Sequence, residues 1–294
     1  MNQSVRVPRS LVPARRYSID PMVDQEAPSA HRILLVDLNN FSTFPTLAIG
    51  LLIASLRNRG QTVELLSPLA HDVPAAARER QENILDHLRR RVSLTDLPQA
   101  YALRDLLRKA HRARHERPHP IVLKQASQAI ARRPDVILIS AYLQHMTTIR
   151  ALAALARQAG VPVIVGGPMF NLPHVAQEWC QIPGIEMLFG GEADLVLPDL
   201  LQTFLAGGDV LQYPGVTLSN GRSSSAAPPL RPLDATPIPD FTDFPWDRYP
   251  VRIVPLMSGR GCQWDRCLFC SDVISASGRK FRTRSIDSVL LEMQ

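Results

Sequence analysis

The chain has 294 residues, of which 45% are apolar and 20% charged, with a formal net charge of +6. This is length enough for two ordinary domains and apolar content enough to bury cores, which excludes a globally disordered chain. No apolar run approaches the roughly 18–20 residues that cross a bilayer, and the N-terminus lacks the apolar stretch of a secretory signal.

The composition is also not that of a collagen-like or disulfide-dense secreted chain, so a reducing, cytoplasmic setting without a membrane partner is expected. The positive charge is local. Between Ala76 and Arg133 there are 14 Lys or Arg against 6 Asp or Glu, so the remainder of the chain is slightly acidic. One Arg-rich segment of this kind reads as a solvated helical face, and nucleic acid is not an expected partner.

Residues 1–30 carry Pro, Arg and Ser without hydrophobic periodicity and read as a leader. The run RILLVDL (32–38) reads as a buried parallel strand, followed by an amphipathic helix over 47–60 that stops at Gly60. TVELLSP (62–68) completes a βαβ unit. Residues 74–131 then interrupt the rhythm as a basic insertion of two or three helices, broken at Pro98, Pro118 and Pro120.

The alternation resumes with a strand at 135–141, a helix at 147–160, strands at 161–167 and 185–191, and a helix near 193–207. All-apolar strands alternating with helices predict an α/β fold, a doubly wound, Rossmann-like parallel sheet with helices on both faces. This first domain is expected over 31–213. Residues 214–250 read as a Pro-rich connector with one small strand at Val216–Leu218. A second domain is expected over 251–294. It opens with the strand-like run VRIVPLMS (251–258) and ends in a helix from 284, with Ser285 as its N-cap.

Between these lies the chemistry. Three of the four cysteines, Cys262, Cys267 and Cys270, fall within GRGCQWDRCLFC in a C-x4-C-x2-C pattern. Clustered thiols in a reducing compartment read as metal ligands before disulfides. Zinc sites use four N or S ligands, or three and a water, whereas iron–sulfur clusters are held by thiolates. Three thiols without a fourth fit a cluster with one iron left open. Cys180, alone in EWCQIP, reads as a buried small hydrophobe.

The run SGRGCQWDRCLFC after a strand resembles the cluster loop of the radical SAM superfamily, with one residue more than the common C-x3-C-x2-C in its first gap. The resemblance implies that Cys262, Cys267 and Cys270 bind a [4Fe–4S] cluster whose fourth iron chelates S-adenosyl-L-methionine. It implies further that Phe269 packs near the adenine, and that reductive cleavage yields a radical that abstracts hydrogen from substrate. The α/β domain and Pro-rich bridge in front resemble those of cobalamin (B12)-binding radical SAM proteins over roughly 31–294.

That second resemblance implies a cobalamin site at the carboxyl ends of the strands. Its candidate residues are Asn39 and Asn40, Ser140 and Tyr142 in SAYLQH, Gly166 and Gly167 in VGGP, and Gly190, Gly191 and Glu192 in GGEAD. The Asp-x-His-x-x-Gly signature that supplies a cobalt-ligating His in many such domains is absent, and His145, near a strand end, reads as a half-exposed helix-start residue. The implied activity is radical chemistry, with methyl transfer to an unactivated carbon. The alternatives are a front domain that binds substrate in place of cobalamin, and a non-catalytic cobalamin or nucleotide carrier. The implied partners are a small-molecule or peptide substrate and a reductant such as flavodoxin or ferredoxin. Only the first β/α unit of a radical SAM barrel is present, so a chain truncated early in the barrel is expected, and 251–294 is too short to bury its own core.

Overall fold

The computed structural model describes residues 30–38, 44–73, 83–264, 266–267, 270 and 281–294. Eight strands and eight helices are described: β1 (Arg32–Asp37), α1 (Leu47–Arg57), β2 (Thr62–Leu66), α2 (Ile84–Ser93), α3 (Tyr101–His115), α4 (Pro120–Ala131), β3 (Val136–Ser140), α5 (Met146–Ala159), β4 (Val163–Gly166), α6 (Pro173–Trp179), β5 (Ile185–Phe189), α7 (Leu197–Leu205), β6 (Val216–Leu218), β7 (Gly259–Arg260), β8 (Arg282–Thr283) and α8 (Ile286–Met293).

The main sheet runs β2-β1-β3-β4-β5-β6, parallel through β5, with β6 antiparallel at the edge. Alternate side chains of each strand point to opposite faces. On one face Leu34, Val36, Ile137 and Ile139 pack under α4, α5 and α6. On the other, Ile33, Leu35, Val136 and Leu138 pack under α1 and α7. Burial on both faces is why these strands read as unbroken apolar runs. This is the doubly wound α/β fold that the sequence predicts.

The chain leaves β1 for β2 on one side and returns to β3 on the other. The strand order therefore reverses at the carboxyl ends of β1 and β3, the place where open α/β sheets form a crevice.

The elements differ from expectation in four places. First, α4 is the crossover helix between β2 and β3 rather than part of the insertion. Its Val122, Ala126, Ala129 and Ile130 repeat at helical spacing and are buried in the core. Only α2 and α3 stand apart, and neither Leu88 nor Leu106 is covered by the rest of the described residues. Second, β6 joins the main sheet, so the first domain continues past residue 213.

Third, 251–258 forms no strand. Val251, Ile253 and Val254 are exposed and pair with no strand among the described residues, and an apolar, β-branched run becomes a strand only against a partner. The pairing falls one step later, in the short antiparallel hairpin of β7 and β8 that brackets the cysteine loop. Fourth, α6 is unanticipated, a two-turn helix with Pro at its start whose Trp179 is fully buried edge-on to Phe170.

The connector lies along the first domain. Phe241 rests on α1 where Gly50 has no side chain: a Cβ there would sit 2.5 Å from the ring. Arg57 at the end of α1 holds Asp240 at 2.6 Å and also pairs with Asp243. Phe244 is buried in the same core face, and Trp246 and Tyr249 pack against it. Burial and the nearby Asp37 raise the Tyr249 hydroxyl well above its ordinary range.

Candidate functional site

A cavity of about 730 Å³ opens at the carboxyl ends of the parallel strands and extends to the cysteine loop. Its floor is apolar, from Leu35, Leu138, Ile139 and Ile164 at the strand ends, and the first turn of α1 forms one side. Met257, Arg260 and Cys262 close the opposite end. A mostly apolar cleft with a few convergent polar groups is the usual form of a cofactor site. The polar groups here include Ser140, Tyr142, Asn171, Glu192 and Asp194.

The predicted cobalamin contacts separate on this geometry. Ser140, Tyr142, Gly166, Gly167, Gly191 and Glu192 all line the cavity. Gly190 does not. It is needed for packing instead, since a Cβ there would lie 2.5 Å from the backbone of Phe170. At Gly166 an added Cβ would make only an ordinary contact, 3.9 Å from the Phe189 carbonyl oxygen. Asn39, Asn40 and Phe269 lie outside the described residues. His145 ends a short 3-10 turn, where its Nδ1 accepts from the backbone N–H of Tyr142 at 3.2 Å. Burial lowers its pKa to about 4, so it stays neutral at physiological pH.

Sequence reasoning missed Asn171. It sits in the 3-10 turn Pro168–Asn171 after β4, and its Oδ1 is buried without a hydrogen-bond partner among the described residues. An orphaned acceptor on a cavity wall suits a ligand that brings a donor. Corrin side chains are amides, so a flat ring with peripheral N–H groups fits this cleft. The signal for Asn171 was weak, an Asn in a loop at a strand's carboxyl end.

The thiols are half-buried and unpaired with one another. Cys262 lines the cavity, and the Cys270 N–H donates to Cys267 C=O at 3.2 Å, closing the C-x2-C turn. Among the described residues no three His, Cys, Asp or Glu side chains lie close enough to share one metal ion. Thiolates repel until a metal neutralises them, so the gathering of such ligands is itself coupled to metal binding. The donor set, three soft sulfurs on one loop, fits iron–sulfur ligation.

Two arginines flank this loop, and sequence reasoning gave neither a partner. Arg260 grips Asp194 with two bonds of 2.7 Å, and its Nη1 lies 3.5 Å from Glu192. Arg282 bonds Glu192 at 2.5 and 2.9 Å and the carbonyl of Leu230 at 2.8 Å. Glu192 also accepts from the Leu230 N–H. Burial works to raise the Glu192 pKa, but the bonds from Arg282 and Leu230 and the charge of Arg260 more than offset it, and the net shift is downward. For Arg260 burial acts to lower the pKa, and Asp194 more than offsets it upward. Glu192 was read as a cobalamin contact. It lines the cavity, and its carboxylate is bonded to Arg282 and lies near Arg260.

A doubly wound domain with a strand-end cleft, joined by a strap to a three-cysteine loop at the cleft's far end, defines a class by its fold: a B12-binding-type α/β domain. The comparisons agree. The family model of the B12 binding domain matches residues 115–201, from the end of α3 into α7.

An uncharacterized methyltransferase, PH0819 of Pyrococcus horikoshii, is 28% identical over 169 residues, covering 54% of this chain and 36% of that protein. The cobalamin-dependent S-adenosylmethionine radical enzyme OxsB, solved with aqua-cobalamin and S-adenosylmethionine, has the same fold over 90% of this chain and 31% of its own, at TM-score 0.57 and 17% identity. The radical S-adenosylmethionine methyltransferase TsrM of Kitasatospora setae, solved with cobalamin and a [4Fe–4S] cluster, aligns over 90% of this chain and 46% of its own, at TM-score 0.53 and 19% identity. The chain thus spans less than half the length of each. The resemblance drawn from the sequence is borne out in the fold and in the B12-binding domain.

Proposed function

We propose that the chain carries the cofactor-binding part of a cobalamin-dependent radical S-adenosylmethionine enzyme, whose reaction is methyl transfer to an unactivated carbon of a small molecule or peptide. The observation that carries this reading is the single cleft that begins at the strand ends of the B12-binding-type domain and ends at Cys262. When bound, the cluster with S-adenosylmethionine supplies the radical that removes hydrogen, and cobalamin supplies the methyl group.

The chain's own residues supply placement. The apolar floor of Leu35, Leu138, Ile139 and Ile164 keeps water from a buried ring. Asn171 Oδ1 offers an acceptor, and Gly166 leaves room for close approach. The neutral imidazole of His145 is bonded through Nδ1 to its own turn. Cys262, Cys267 and Cys270 would hold the iron, and a low-potential reductant such as flavodoxin or ferredoxin would supply electrons in a reducing, cytoplasmic setting. Among the described residues no helix is long and apolar enough to cross a membrane.

The test is anaerobic reconstitution with iron, sulfide and hydroxocobalamin, followed by desalting, an optical spectrum and an iron assay. The expected result is a retained corrin band together with about four irons per chain, as in a cubane cluster, lost in the triple variant Cys262→Ala, Cys267→Ala, Cys270→Ala. Iron without corrin would move the front domain to substrate binding. Corrin without iron would leave a cobalamin carrier.

A further inference from the structure

The loop after β5 faces two ways. Gly191, Glu192, Ala193 and Asp194 line the cavity, yet the two carboxylates end on arginines of the hairpin that brackets the cysteines. Arg260 is two residues before Cys262, and Arg282 stands opposite it in β8. Asp194 is 6% exposed at its side chain and Arg282 7%, so these are largely desolvated pairs with forked geometry on both arginines.

Among the described residues from 257 to 294, Met257 is the one buried apolar side chain. The hairpin pairs only two residues on each strand, too few to stand alone. In α8, which follows it, Ile286, Leu290, Leu291 and Met293 are exposed. Arg284, buried beside the hairpin, ties α8 to it through Glu292, Ser288 and the carbonyl of Met257, and among the described residues makes no bond to the front domain. Asp234 of the connector accepts from the Ser285 N–H at 2.7 Å.

We propose that Glu192 and Asp194 are positioning residues that clamp the cysteine hairpin to the cavity rim, so that a ligand in the cavity and iron on the cysteines stabilise each other. The proposal rests on the cluster reading above. It goes beyond that reading in assigning the two carboxylates to the hairpin and in coupling the two sites. A bound corrin orders the loop after β5, that loop holds Arg260 and Arg282, and they hold Cys262 in place. Linkage makes the effect reciprocal.

The experiment measures how fast a chelator strips iron from the reconstituted chain, with and without hydroxocobalamin. Wild type, Asp194→Asn, Glu192→Gln, Arg260→Lys and Cys262→Ala are compared. In the wild type, hydroxocobalamin is expected to slow iron loss several-fold. Asp194→Asn is expected to lose iron about tenfold faster and to show no cobalamin effect. Arg260→Lys keeps the charge but not the fork, and is expected to fall between them.

Hydrogen exchange on the metal-free chain supplies the second readout. The β7–β8 amides of Asp194→Asn should exchange faster while those of β1 and β3 stay protected. Wild-type stripping rates and exchange in Asp194→Asn would overturn the clamp. If Cys262→Ala keeps its iron, the cluster reading fails, and the exchange of β7–β8 still decides on the clamp. If Asp194→Asn unfolds, Glu192→Gln decides by the same two readouts, its side chain being 27% exposed and its loss therefore milder.

Discussion

The sheet and the cysteine hairpin are held by different forces. Between β1 and β5 every strand is sandwiched between two helical layers, and stability comes from apolar burial that no single contact dominates. Among the described residues of the β7–β8 hairpin no apolar side chain is buried. It is fixed by charged forks from Arg260 and Arg282 to Asp194 and Glu192. The difference teaches where order is robust and where it is conditional: burial is indifferent to what binds, whereas a clamp seated on a ligand-facing loop is not.

The largest effect is expected in the core. Trp179→Ala removes a fully buried ring that packs on Phe170 at 5.3 Å, and should cost about 3–5 kcal/mol in chemical denaturation. It should leave the exchange of the β7–β8 amides unchanged relative to the sheet, and parallel loss in both regions would break the comparison.

Next comes the strap between them. Gly50→Ala drives a methyl into Phe241 and should cost about 1–3 kcal/mol, recovered in part by adding Phe241→Leu. Arg57→Ala frees Asp240 and Asp243 from partly exposed pairs and should cost about 1 kcal/mol, less at high salt.

Acid separates the regions by window. The folded pKa of His145 is depressed from 6.5 to about 4. Between those values the unfolded chain takes up a proton that the folded chain refuses, so stability falls as pH drops through this range. His145→Asn should flatten that part of a pH–stability curve. The carboxylate of Glu192 is depressed from 4.5, so its contribution is complete above that value and is lost on further acidification. Hydrogen exchange of β7–β8, corrected for the intrinsic pH dependence of amide exchange, should therefore hold from 6.5 down to 4.5 and rise only on further acidification. The smallest effect is expected at the surface, where Arg132→Ala, which removes the exposed pair with Glu64, should change stability by no more than about 0.5 kcal/mol.

Much of this was legible in the chain. Apolar runs flanked by helix-period segments give the strands within a residue or two, and Gly160 ends α5 in the left-handed conformation expected of a C-terminal glycine. Ser285 caps α8 as read, accepting from the Ser288 N–H, and Cys180 is buried. What local pattern could not reveal was long-range pairing. The run at 251–258 has strand composition but no partner, and α4 shares its basic neighbourhood with α2 and α3 while belonging to the core.

At the site, glycines and strand ends marked the cleft, but sequence cannot say which glycine lines it and which packs on Phe170. Nor could it show that Glu192 and Asp194 would find arginines more than sixty residues away. Those partners are set by topology, which brings the end of β5 beside a hairpin far along the chain.

The strap itself carries one more consequence. A Gly- or Ser-rich tether would let the cysteine loop explore a volume, and its encounters with the cleft would follow from tether length. Residues 240–249 do the opposite, with Phe241 and Phe244 seated on the front domain and the Trp246 indole N–H bonded to the Phe241 carbonyl at 2.9 Å. The distance from strand end to cysteine is thus set by a braced segment rather than by statistics. Evolution can lengthen the exposed turn around Asn220 without changing that distance, whereas one residue inserted between Phe241 and Tyr249 would put the cysteine loop out of step with the cleft.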